Sequence, residues 1–225
     1  MTKEERQSAI LDQLLKQGSV LVSALSDNLQ VSAVTIRKDL TDLERQGRLY
    51  RSHGKAILIN PFTANRSVNE KEKLFPEEKY NIGTAAAQLV MPNDSIVIAS
   101  GTTVTAFAQC LQHSPRFTAV TSSIKVSEAL AANSEIEVIQ LGGRLRHSSL
   151  SVVGPDGEQT LAGCTFSKLF IGVDGIDLEY GITTTDLREA HLNKVMMGVA
   201  QKNIVLADSS KFGRRGFAKI CGMDE

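Results

Sequence analysis

Ser100-Gly101-Thr102-Thr103 places hydroxyls and a glycine directly ahead of a stretch with helical spacing, a combination suited to holding an oxyanion. The first N–H groups of a helix lack intrahelical partners, and the helix dipole favours negative charge beside them. Further along, Gly142-Gly143 would let the backbone approach a ligand closely. Asp174 and Asp177 can accept hydrogen bonds from sugar hydroxyls, and Lys194 and Lys211 can supply positive charge. A second group lies nearer the N-terminus. Ser32, Ala33, Thr35, Arg37 and Lys38 present small, hydroxylic and basic side chains on one helix face, as the major groove requires. Arg51, His53 and Lys55 follow on a Gly-containing turn, where basic side chains suit DNA phosphates or the minor groove. Each signal also has a plain structural reading: a helix cap, a tight turn, a solvated helix face.

The elements that must position the N-terminal group are legible. Thr2 and Glu5 form a capping box, and Ile10, Leu11, Leu14 and Leu15 recur at helical spacing. A short extended piece, Val20-Leu21-Val22, precedes a helix capped by Ser23 with Leu25 and Leu29 inward. Ser32 caps a third helix running to about Gln46, whose Ile36, Leu40 and Leu43 must face the core. After Gly47 two short strands flank Gly54. Residues 1–57 thus read as a DNA-binding domain.

Residues 58–74 lose periodicity and read as a linker; no chemistry attaches to the charged run Asn69-Glu70-Lys71-Glu72-Lys73. A helix starting near Glu77 is expected to turn Ile82, Ala86 and Leu89 inward. From residue 94 apolar runs alternate with helical stretches: Ile96–Ala99, Phe117–Val120, Ile136–Ile139, Lys168–Val173 and Ile204–Ala207. This alternation predicts a parallel sheet with helices on both faces over residues 75–225, and such sheets bind ligands at their strand ends.

Composition sets the outer limits. The 225 residues balance 25 Lys and Arg against 25 Asp and Glu, so no global basic field announces nucleic acid. The local field matters more: Arg37, Lys38, Arg45, Arg48 and Arg51 cluster in one short stretch. Cys110, Cys164 and Cys221 are isolated, arguing against a structural metal or a disulfide framework. His113, His147 and His191 have no partners in sequence. The N-terminus lacks a signal-peptide core and no apolar run reaches membrane-spanning length, so a cytoplasmic protein is expected.

The stretch VLVSALSDNLQVSAVTIRKDLTDLERQGRLYRSHGKA resembles the DNA-binding signature of the DeoR family of bacterial repressors, with Lys55 standing where the family usually has a second glycine. SGTT, LGGRLR, GVDGID with GITTTD, EAHLNK and LADSSKFG are similar to the family's C-terminal sensor domain, in the same order. The resemblance implies a winged helix-turn-helix followed by a Rossmann-like domain similar to ribose-5-phosphate isomerase and glucosamine-6-phosphate deaminase. It further implies a double-stranded DNA operator, a phosphorylated sugar as effector, and a dimer or tetramer, with no cofactor. Effector contacts would come from Ser100, Gly101, Thr102, Thr103, Gly142, Gly143, Asp174, Gly175, Lys194 and Lys211. Two positions depart from the family: Ala99 replaces an Asp, and Ser122 replaces an Asn. Family members usually continue through another strand and helix beyond Glu225, so a shortened C-terminal end is expected.

An isomerase or deaminase would need a general base beside its substrate. The isomerase pattern places that carboxylate just before Lys194, where this chain has Asn193, an amide. Glu189 lies a helical turn away and Asp174 stays available as a base. Regulation without catalysis is the expected reading, with an oligomerisation platform as the other alternative for the second domain.

Overall fold

The computed structural model describes residues 1–46, 48–58 and 67–225. It divides into two compact units, residues 1–64 and 65–225. In the first, the Thr2–Glu5 capping box opens α1 (Lys3–Gln17). β1 (Ser19–Leu21) runs directly into α2 (Val22–Leu29), and Ser32 caps α3 (Ala33–Arg45) through the Thr35 N–H. β2 (Leu49–Ser52) and β3 (Lys55–Leu58) complete a three-stranded antiparallel sheet in the order β1-β3-β2.

Two local expectations need correction. Ser23 lies inside α2 rather than capping it: the Val22 N–H donates to Gly54 O at 3.0 Å, so the wing turn satisfies the helix start. Leu15 is 68% exposed, because the stripe centres on Ile10 and Leu14 and Leu15 lies about 100° further round. The core of this unit joins Ile10, Leu14, Val20, Leu25, Ile36, Leu40, Leu43, Leu49 and Ala56. Full burial of each large aliphatic contributes about 1.5–3 kcal/mol, so so small a core tolerates few losses.

Part of the stretch expected as a linker is helical. Residues 59–66 lie outside the described residues, as does Gly47, whereas Ser67 and Glu70 form a capping box on α4 (Val68–Glu72). Val68 is buried in the second unit, which explains this helix. α5 (Pro76–Ala87) follows, with Ala86 buried but Leu89 exposed just past its end.

The second unit then alternates as expected: β4 (Ser95–Ile98), α6 (Thr102–Cys110), β5 (Phe117–Thr121), α7 (Ile124–Leu130), β6 (Ile136–Gln140). A hairpin, β7 (Arg144–Arg146) and β8 (Ser151–Val153), leads to α8 (Pro155–Ala162) and β9 (Lys168–Gly172). β10 (Gly175–Asp177), β11 (Gly181–Thr184), α9 (Leu187–Val199), β12 (Asn203–Leu206) and β13 (Ala218–Cys221) complete the described chain. The five foreseen strands form one parallel sheet in the order β12-β9-β4-β5-β6. Ile96 and Ile98 pack with Val104, Phe107, Val126 and Leu130 on one face. Val97 and Ala99 alternate to the other, against Leu161, Ala190, Leu192 and Met196. The antiparallel sheet β10-β11-β13 has no sequence signal strong enough to have been foreseen, since its strands are short and flanked by glycine and charge. Among the described residues no helix is long and apolar enough to cross a membrane.

Candidate functional site

The first candidate surface is α3 with the β2–β3 turn. Val34, Arg37 and Lys38 share an exposed helix face at i, i+3 and i+4, and Val34 is 72% exposed. Val34 was not picked out from sequence; an exposed valine beside the helix start is apt for a thymine methyl. Ser32 Oγ accepts from Thr35 N at 3.2 Å and lies 3.0 Å from Thr35 Oγ1, so both hydroxyls sit at the N-terminal end of the helix. Opposite, buried Asp39 pairs with Arg6 of α1, anchoring α3. His53 and Gly54 both have positive φ, 47° and 74°, as a two-residue hairpin turn requires. Lys55 is exposed beside them. Arg51 is differently placed: its guanidinium lies 2.8 Å from Glu44 and ties the wing to α3.

The second candidate is a cleft at the C-terminal ends of β4 and β9, where an open parallel sheet binds ligands. Its lining includes Ser100, Gly101, Thr102, Thr103, Asp174 and Lys211, six of the residues singled out from sequence. Gly101 holds φ +133° at the N-cap of α6 and offers no capping side chain, leaving the first N–H groups of the helix for a ligand. The other four lie elsewhere. Gly142 and Gly143 lie at the β6–β7 turn; a Cβ on Gly143 would come 2.8 Å from Val153 O, whereas one on Gly142 would meet open space. Gly175 fits against Arg214 O, which a Cβ would approach to 2.5 Å. Lys194 points away on α9 and pairs with Glu225. Asp177 is engaged by Arg215. Ala99 is fully buried under α9 and Ser122 is buried beside β8, so neither departure from the family pattern lines the cleft.

Sequence reasoning missed Lys71, Arg146 and Thr184 and weighed Glu189 only as a base; all four reach the cleft, from α4, β7, β11 and α9. Lys71 Nζ donates to Asp174 Oδ1 at 2.6 Å and Thr184 Oγ1 donates to Oδ2 at 3.2 Å. Burial pushes the Asp174 carboxyl up, but Lys71 and Lys211 outweigh it and hold it at about 2. Glu189 accepts from Ser100 Oγ at 2.7 Å and from Arg146 at 2.5 Å. Burial raises the Glu189 carboxyl, opposed chiefly by Arg146 and reinforced by Asp174. Arg146 also reaches Asp186 at 3.2 Å. The isomerase spacing had pointed to Asn193; that residue is buried in α9 and is not part of the lining, whereas Glu189 is.

Lys211 stands apart. Burial depresses its pKa, Asp174 counters, and Lys71 adds to the depression. Among the described residues no hydrogen-bond acceptor meets its Nζ. Three cations, Lys71, Arg146 and Lys211, face two carboxylates across the cleft, so the lining retains a net positive charge beside an open helix N-terminus. An anion carrying hydroxyl groups matches that pattern: the cations and N–H groups take its charge and the carboxylates its hydroxyls. Behind α4, the buried Lys79 ammonium donates to the Lys71 and Leu74 carbonyls at 2.5 Å. Burial and then Lys211 lower its pKa to about 8.

A winged helix and an α/β cleft with a cationic lining, carried on one chain, define a DNA-binding protein with an attached sensor domain. Residues 6–62 match the DeoR-like helix-turn-helix domain and residues 75–225 match the DeoR C terminal sensor domain. The chain belongs to the DeoR family of transcriptional regulators. A proposed aga operon transcriptional repressor of Escherichia coli O157:H7 is 39% identical over 96% of this chain and 81% of its own length. The HTH-type transcriptional repressor GlcR of Bacillus subtilis (strain 168) is 34% identical over 100% of this chain and 86% of its own. The lactose phosphotransferase system repressor of Streptococcus mutans is also 34% identical, over 98% and 88%. These relatives are regulators, and the chain is one too rather than an enzyme. Ribose 5-phosphate isomerase A from Neisseria gonorrhoeae shares 22% identity over 60% of this chain and 53% of its own, with a TM-score of 0.43; that likeness bears on neither ligand nor chemistry.

Proposed function

We propose that this chain represses sugar-metabolism genes from a DNA operator and that a phosphorylated sugar in the cleft relieves repression. The observation that carries the effector half is Lys211, a half-buried cation beside the uncapped start of α6. In this reading the phosphate lies against Ser100, Gly101, Thr102, Thr103 and Lys211, and the sugar hydroxyls meet Asp174 and Glu189. A relative named as a lactose phosphotransferase system repressor supports a link to sugar metabolism. Two winged units of a homo-oligomer, a dimer or tetramer, would take paired half-sites.

On DNA, Thr35 and Arg37 read base edges, while Ser32, Lys38, Arg51, His53 and Lys55 hold phosphates. Arg51 must share its guanidinium between Glu44 and a phosphate. Two substitutions separate the roles, measured on a site selected from random DNA by the unaltered chain. Arg37→Ala is expected to lose about 1–3 kcal/mol of discrimination at one base pair. Lys38→Ala is expected to weaken all sequences alike and to reduce the slope of log K against log salt by about 0.9. Unchanged discrimination in the first, or an unchanged slope in the second, would remove that residue from its role.

A further inference from the structure

α4 follows the last wing residue, Leu58, by ten residues, and is the first described element of the second unit. It is held to that unit at both ends. The Val68 N–H donates to Ser148 O at 2.6 Å, Glu72 pairs with Lys125, and Lys79 seals the carbonyls at its C-terminal end. Two of its side chains, Val68 and Lys71, line the cleft. Lys71 is thus the one cation of that lining borne by the segment that leads to the DNA-binding unit.

The partner of Lys71 is Asp174. A phosphate arriving at the start of α6 and at Lys211 would stand near this pair. It repels the Asp174 carboxylate and attracts the Lys71 ammonium, and a dianion attracts an ammonium more strongly than a single carboxylate does. Asp174, released, becomes free to accept from hydroxyls. We propose that Lys71 is an effector-binding residue that exchanges Asp174 for the phosphate, so that α4 reports occupancy of the cleft to the chain segment entering the DNA-binding unit. This rests on the cleft being a phosphate site, as argued above. It adds a ligand contact from outside the sheet, and a physical route for the two-state coupling that any relief of repression requires.

The test uses the full chain, inorganic phosphate as the probe, and chloride at matched ionic strength as control. Phosphate affinity is read by calorimetry, and backbone hydrogen exchange is followed over residues 68–74. At phosphate about ten times its Kd, exchange that requires Lys71 to let go should slow by about tenfold. Lys71→Met should abolish that slowing and weaken phosphate roughly tenfold, while protection of the α6 start by phosphate persists. Asp174→Asn, which removes both a repelling charge and the competitor for Lys71, should tighten phosphate more in the unaltered chain than in the Lys71→Met chain; equal tightening in the two would count against the exchange. Exchange over 68–74 that ignores bound phosphate, or a Lys71→Met chain that binds as tightly as the original, overturns the inference while leaving the cleft a phosphate site. Failure of the unaltered chain to bind phosphate at all defeats the reading of the cleft itself.

Discussion

Arg146→Met is expected to destabilise the second unit by about 3–5 kcal/mol at neutral pH, the cost of leaving a buried carboxylate without its partner. The side chains of Arg146 and Glu189 are only 8% and 12% exposed, and the guanidinium also serves Asp186. The loss should therefore appear as a fall in Tm on the order of 10 °C for the calorimetric transition of that unit. Its pH dependence identifies the cause. Burial already raises the Glu189 carboxyl, and Arg146 is the main influence opposing it. Without Arg146 the carboxyl rises further. A folded-state pKa raised above the unfolded value means the native state binds the extra proton, so the native state loses stability as pH climbs between the two. The deficit of Arg146→Met should then be largest at neutral and alkaline pH and shrink toward about pH 5. Adding Glu189→Gln should recover a good part of it. A deficit below about 1 kcal/mol, or one independent of pH, would mean that water rather than Arg146 stabilises Glu189.

The other large effect is expected from Lys211→Ala. Truncating one side of a desolvated charge contact costs about 2–5 kcal/mol, so the effector Kd should rise on the order of 100-fold or more. Operator affinity without effector should stay as it was, because Lys211 lies in the second unit and its Nζ meets no acceptor among the described residues. Titrating the sugar phosphate by calorimetry, and operator DNA by fluorescence anisotropy, separates the two. A Kd within about threefold of the original would take Lys211 out of the anion site.

The order of elements in the first unit was readable because its signals are local: a capping box at Thr2, a cap at Ser32, and an aliphatic stripe through Ile36, Leu40 and Leu43. The five parallel strands were readable for the same reason, as short apolar runs closed by polar loops. The cleft was half readable. Ser100 to Thr103, Asp174 and Lys211 stand at strand ends, where topology alone says a ligand belongs. Lys71, Arg146 and Glu189 do not. They converge from a short helix, a two-stranded hairpin and the first turn of α9, and only tertiary packing brings them within hydrogen-bond reach. Lys71 was hidden further by its neighbours, since Glu70-Lys71-Glu72-Lys73 reads as a solvated charge run until buried Val68 fixes which face turns inward. Gly143 and Gly175 carry the opposite lesson. Their small size serves close backbone packing, which a sequence cannot distinguish from close approach to a ligand.

The most direct test of the account is a paired measurement on the full chain against a panel of sugar phosphates and the corresponding free sugars: thermal stability, and release of operator DNA. The account predicts that one phosphorylated sugar raises Tm in a concentration-dependent way and releases the operator, while its unphosphorylated form does neither. Stabilisation by no sugar phosphate, or equal stabilisation by the free sugar, would contradict it.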